Sequence, residues 1–254
     1  MLEIRQLTRR FKGLVAVNSI DFNIDSGELV GVIGPNGAGK TTFFNLITGF
    51  IKPTSGHIIF EGKDITGLSP HIIAKAGIVR TFQLDRIYHD LTVLQNVAVS
   101  SHLHAKIGFI EAIFSTPGYR RKYSSIYEQS LQTLNFLGLA SKKDALANSL
   151  SHGYQKLLGI SIALAAKPRL LLLDEPLAGM NPTEVARTLE IIRDIRQQGT
   201  AILLIEHNMR AVMRTCDRLM VLNFGTVIAR GSCEDIQKDP NVIQAYLGAK
   251  KNAA

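Results

Sequence analysis

Residues 29–42 read Leu29-Val30-Gly31-Val32-Ile33-Gly34-Pro35-Asn36-Gly37-Ala38-Gly39-Lys40-Thr41-Thr42. The first five form a continuous apolar run, the pattern of a strand buried on both faces. Gly34 to Thr41 then fits the spacing G-x-x-x-x-G-K-[ST]. Glycines let the backbone curl so that several N–H groups aim at one point. A helix opening near Lys40 adds the positive end of its dipole. Lys40 is then placed to neutralise the β- and γ-phosphates of a nucleoside triphosphate, and the Thr41 hydroxyl to bind Mg²⁺. The stretch predicts a phosphate cradle formed by Gly34, Pro35, Asn36, Gly37, Ala38, Gly39, Lys40, Thr41 and Thr42.

On the N-terminal side, Leu2 and Ile4, then Ile20, Phe22 and Ile24, alternate with polar residues and read as strands of an antiparallel part. On the C-terminal side, Gly56 to Lys63 reads as half of a hairpin. Ser69-Pro70 opens a short helix through Lys75. Ile78-Val79 leads to a strand end at Thr81-Phe82-Gln83. Leu170–Leu173 and Ala201–Ile205 are two further buried strands. Helices are expected from Tyr154 to Ala166, from Asn181-Pro182 (with Glu184 completing a capping box) to Gly199, and from Asn208 to Thr215. Short strands follow at Leu219–Asn223 and Val227–Ala229, and a last helix over 234–247. Strands alternating with helices imply an α/β fold whose sheet is mostly parallel and covered on both faces.

The stretch 84–150 is different. It carries no convincing strand pattern. Thr92 and Gln95 form a capping box for one helix. Ile126, Ser130, Leu134 and Leu137 share a face of another that ends at Gly138. We read it as an inserted helical subdomain, with the core made of 1–83 and 151–254.

The remaining candidate residues sit at strand ends. In a parallel sheet, strand C-termini face the ligand crevice. Asp174 is thereby placed to hold Mg²⁺, and Glu175 to polarise an attacking water as a general base. Taken alone, the two acids also suit the cap of the next helix. His207 ends its strand in the same way, within reach of a γ-phosphate oxygen, although a lone histidine is often structural. For Gln83, contact with Mg²⁺ or water and a plain structural role both stay open.

Bulk properties exclude little and agree with this. The chain has 254 residues, 46% hydrophobic and 20% charged, which fits one folded α/β unit and not a disordered chain. Its net charge of +8 suits a polyphosphate, an anionic membrane surface or nucleic acid, and equally a solvated surface. Two cysteines, Cys216 and Cys233, make no disulfide framework, and a reducing compartment is expected. The N-terminal residues lack the apolar core of a signal segment. No apolar stretch approaches the roughly 18–20 residues that span a bilayer, so a membrane role is expected to be peripheral. His102 and His104 lie two apart and would point to different faces of a helix, so no metal site is expected from them. Ile107, Phe109, Ile110, Ile113 and Phe114 suit either core packing or contact with a membrane partner.

These features, in this order, resemble the ABC (ATP-binding cassette) ATPases over nearly the whole chain, through about Gly248. GPNGAGKT is similar to the family's Walker A motif and LLLLDE to its Walker B, with Glu175 as catalytic acid. Gln83 matches the Q-loop and His207 the switch histidine. Leu150-Ser151-His152-Gly153-Tyr154-Gln155 takes the place of the signature, usually LSGGQ, with Ser151 and Gly153 retained. Ala178-Gly179-Met180-Asn181 takes the D-loop position, and Phe11 that of the aromatic stacked on adenine, plain core packing being the second reading of this residue. His152, Tyr154 and Asn181 depart from the usual glycine, glutamine and aspartate, which puts turnover in doubt.

The resemblance implies a P-loop NTPase core, ATP and Mg²⁺ as cofactors, and a dimer in which the signature of one subunit closes on ATP held by the other. Val79-Arg80-Thr81-Phe82-Gln83, the segment Thr116–Arg121, Asp174–Pro182, Leu204–Met209 and Val242–Gly248 resemble the ATPases of branched-chain amino-acid importers. That implies transmembrane permease partners, a second ABC ATPase subunit, a solute-binding protein acting indirectly, and a place on the cytoplasmic face of the membrane. Nucleic acid is not expected as a partner. The Ser-His-Gly variant also resembles ATPases of urea or amide importers. An exporter, a lipopolysaccharide-type transport ATPase and an ABC ATPase outside transport are rival readings of the same motifs.

Overall fold

The computed structural model describes residues 1–81, 87–101 and 117–251. Gln83, His102, His104 and the apolar residues 107–114 lie outside this set.

Among the described residues the strands form two sheets. The first is antiparallel, in the order β2-β1-β4-β5, from β1 (Leu2–Phe11), β2 (Leu14–Ile24), β4 (Ser55–Phe60) and β5 (Lys63–Asp64). The second has the order β10-β9-β3-β8-β7-β6. Its members are β3 (Leu29–Ile33), β6 (Ile78–Arg80), β7 (Leu170–Asp174), β8 (Ala201–Ile205), β9 (Arg218–Asn223) and β10 (Thr226–Gly231). All its pairings are parallel except β10 on β9. β3 lies at the centre, so the glycine loop that follows it emerges in mid-sheet, beside the C-terminal end of β8.

The apolar runs pack on two sides because side chains alternate along a strand. Leu170 and Leu172 of β7 join Val30, Val32, Leu203 and Ile205 in one cluster. That cluster also takes in Phe43 and Phe44 of α1 (Lys40–Ile47) and the inner face of the antiparallel sheet. Leu171 and Leu173 point the other way, joining Ile202 and Leu204. This second face is covered by α3 (Val93–Ser101), α4 (Pro117–Phe136), α5 (His152–Ala165) and α6 (Pro182–Gln197). The described helices of the stretch 84–150 therefore share their core with the sheet: Val93, Val97, Leu134 and Leu137 pack in the cluster that holds Leu171.

Most capping expectations hold. Thr92 and Gln95 exchange both bonds of a capping box, and so do Asn181 and Glu184. α2 (Pro70–Ala76) starts at Ser69 with proline at its first position. α7 (Met209–Thr215) is capped by the Asn208 side chain. The tail corrects the reading. In place of one helix over 234–247 there are two, α8 (Cys233–Lys238) and α9 (Pro240–Lys251). Pro240 is the cause: a proline disfavours helical backbone in the residue before it, and Asp239 is extended at φ −68°, ψ 120°. Cys216 and Cys233 are free thiols, both pushed up by burial. Among the described residues no helix is long and apolar enough to cross a membrane.

Candidate functional site

The site is built on the mid-sheet loop. Gly34 has φ +151° and Gly39 φ +101°. A methyl group on Gly34 would lie 2.1 Å from the Leu222 carbonyl oxygen, and one on Gly39 2.4 Å from that of Ala16. Both positions therefore exclude any side chain, which lets the loop lie flat against β9 and β2. Gly39 is the N-cap of α1, and no acidic residue occupies the first turn. The opening N–H groups of that helix are thus a site for negative charge. Lys40 is 7% exposed, and its Nζ donates to the carbonyls of Gly34 at 2.8 Å and Pro35 at 2.9 Å. Burial pulls its pKa below the usual lysine value, while Glu175 and Asp174 push the other way.

Two strand ends complete the site. β7 delivers Asp174, followed by Glu175 at φ +48°. β8 delivers Glu206 and His207. His207 Nε2 and Glu175 Oε1 are hydrogen-bonded at 2.9 Å. Phe11, Asn36 to Thr42, Glu175 and His207 line one cleft of about 390 Å³, a size ordinary for a small-molecule site. Gly34 and Pro35 stand behind it, holding Lys40. Ser151 and Gly153 are not in its lining.

Asp174 is set deeper. Its side chain is 10% exposed, and its Oδ2 accepts from Arg80 at 2.6 Å. Arg80 also donates to Asn45 Oδ1 on α1 at 2.6 Å and lies over the Phe44 ring. One guanidinium thus joins the helix after the phosphate loop to the strand-end acid. Breaking such a buried pair from one side costs about 3–5 kcal/mol.

Three site contributors were missed in the sequence. Arg80 is the first. Glu206 is the second: it is 4% exposed and accepts from the backbone N–H groups of Leu177 (2.8 Å), His207 (3.0 Å) and Asn208 (3.3 Å). Burial pushes its pKa up, a carboxylate Glu175 adds to this, and the three N–H groups oppose it. Lys156 of α5 is the third, its Nζ donating to the Glu175 carbonyl at 3.2 Å. A glutamate directly after an apolar strand was a signal for Glu206; Lys156 offered none.

The chain as a whole has known relatives. A family model described as "ABC transporter" matches residues 17–178. The chain belongs to the ABC transporter ATP-binding family. A second model, "Branched-chain amino acid ATP-binding cassette transporter", matches residues 226–251 of this ABC ATPase, spanning β10, α8 and α9. The high-affinity branched-chain amino acid transport ATP-binding protein LivG of Escherichia coli (strain K12) is 42% identical over 249 residues, covering 98% of each chain. BraF of Pseudomonas aeruginosa, named for the same transport, is 41% identical over 98% of each chain. A solved ATP-binding cassette of an ABC transporter, in its ADP conformation, superposes with a TM-score of 0.85 at 31% identity and 98% coverage of both chains.

The cassette's departures from the usual motifs have structural settings. His152 begins α5 with its ring against Gly179 of the D-loop, where an added methyl would lie 2.7 Å from the imidazole. Tyr154 carries Lys142 Nζ over its ring at 4.8 Å. Asn181 caps α6, and its partner Glu184 lies against Gly153, leaving 2.7 Å to an added methyl there. Signature and D-loop are thus packed on each other, and Ser151, the N-cap of α5, stays exposed.

Proposed function

We propose that this chain is the ATP-hydrolysing subunit of a membrane importer of branched-chain amino acids. The observation that carries it is the cleft that brings the Walker A loop, Glu175 and His207 together. The triphosphate lies on the N–H groups of the loop and the start of α1, with Lys40 turning from the Gly34 and Pro35 carbonyls to the β- and γ-phosphates. Phe11 stacks on the adenine. Glu175 takes the proton of the attacking water, oriented by its bond to His207, and His207 also meets the γ-phosphate.

Thr41 and Asp174 offer the hard oxygen donors that Mg²⁺ requires, with Gln83 as a third candidate. Bound there, Mg²⁺ neutralises charge that develops on the phosphates.

Ser151, exposed at the helix start, and Gly153, buried behind it against Glu184, both outside the cleft, serve the ATP of a second subunit in an ATP-sandwiched dimer. That dimer opens when the γ-phosphate contacts are lost, and drives permease subunits fed by a solute-binding protein. The subunit sits peripherally on the cytoplasmic face of the membrane. The branched-chain cargo follows from the relatives named above and from the model matched by the tail.

Replacing Glu175→Gln tests the chemistry. ATP binding by calorimetry is expected to stay within a few-fold of wild type, and phosphate release to fall by about 10²-fold or more. Wild-type phosphate release in that variant refutes the role of Glu175.

A further inference from the structure

The nucleotide cleft holds an aromatic residue that the phosphate chemistry does not use. Phe224 lines the same cleft as Phe11 and the phosphate loop. It is 83% exposed, against 38% for Phe11 and 66% for Leu14, which also line the cleft. An apolar ring held in water contributes nothing to the core.

Its backbone is unfavourable as well. Phe224 and Gly225 form the two-residue turn between β9 and β10, at φ +44° and φ +78°. Such turns favour asparagine, aspartate or glycine, because a bulky side chain is strained at positive φ. The turn is nevertheless firmly mounted. Gly225 N–H donates to the Ala38 carbonyl at 3.0 Å, and Asn18 N–H donates to the Gly225 carbonyl at 2.8 Å. The ring thus stands on a rigid support fastened to the phosphate loop itself. Strain that the surroundings over-determine points to function.

We infer that Phe224 is a second aromatic wall of the nucleotide site, taking the base of the nucleotide whose phosphates lie on Gly34–Thr42. This rests on the nucleotide reading of the cleft. The occupant is a base and not a protein surface because the turn bonds to Ala38, within the loop that cradles the phosphates. Base–aromatic stacking needs only a π-face, and Phe224 with Phe11 supplies two rings to one cleft.

The test compares ATP with inorganic tripolyphosphate, which has phosphates and no base. Both are titrated by calorimetry, with Mg²⁺, into the full chain and into Phe224→Gly and Phe224→Asn, residues suited to the left-handed turn. ATP affinity is expected to fall about tenfold in both variants, with tripolyphosphate affinity unchanged and the ligand-free melting temperature equal or higher. A Phe224→Trp variant gives a second readout: its emission is expected to change with ATP and not with tripolyphosphate. Wild-type ATP affinity in the glycine variant, or equal losses for both ligands, overturns the assignment. If the wild-type chain binds neither ligand, the nucleotide reading fails and this inference with it. If it binds both and only the Phe224 arms fail, the nucleotide reading survives alone.

Discussion

Two helices of this cassette begin where a phosphate can be bound, and they begin differently. α1 starts behind Gly39 in left-handed backbone, inside the cleft, with Lys40 buried at its first position. α5 starts behind Ser151 in extended backbone, exposed and outside the cleft, with Gly153 braced by Glu184. Both offer unpaired N–H groups and the positive end of a dipole. Only the first is surrounded by the rest of a site: the carboxylate, the histidine and the base wall lie around α1. In the proposed dimer, the second is a half-site whose ligand is held by the other subunit.

The contrast breaks most sharply at the lysine and the serine. Lys40→Ala is expected to lower the ATP affinity of the isolated subunit by about 10- to 100-fold, as loss of a charge-assisted bond requires. Ser151→Ala is expected to leave that affinity unchanged and to reduce ATP-driven dimer formation by sedimentation, together with phosphate release. Equal loss of ATP affinity in both isolated variants would erase the distinction between the two helix starts.

A smaller effect comes from pH. Burial lowers the Lys40 pKa in the free protein. ATP favours the charged form, so affinity is full below that lowered pKa and declines as pH rises through it. The decline is therefore expected to begin below the ordinary lysine value of 10.5. Titrations of ATP binding from pH 7 upward check this. A decline that starts only above 10.5 contradicts the burial argument.

The smallest effect concerns the support of the exposed half-site. Asn181→Ala removes the cap of α6 and is expected to cost about 1 kcal/mol, or roughly 2–4 °C in melting temperature, with ATP affinity unchanged. Changed ATP affinity would mean that the brace beneath Gly153 reaches the cleft.

What could be read from sequence was local. The strand–glycine–helix order of 29–42, Glu175 and the histidine after Glu206 are contiguous patterns, and Asn36 to Thr42, Glu175 and His207 line the cleft, while Asp174 sits at its strand end paired with Arg80, outside the cleft lining. The break at Pro240 was also local, and the rule for it was in the sequence. Arg80, Glu206 and Lys156 were not legible in the same way. Arg80 reaches Asp174 across 94 residues and Glu206 reaches Leu177 across 29, pairings that only the tertiary fold decides. Phe224 fell between the expected strands Leu219–Asn223 and Val227–Ala229 and drew no reading; its exposure and positive φ set it apart.

The single carboxylate of Glu206 ties the segment after β7, through Leu177, to the segment after β8, through His207 and Asn208. The segments that carry the proposed base Glu175 and the proposed phosphate contact His207 are thereby fastened to one buried carboxylate.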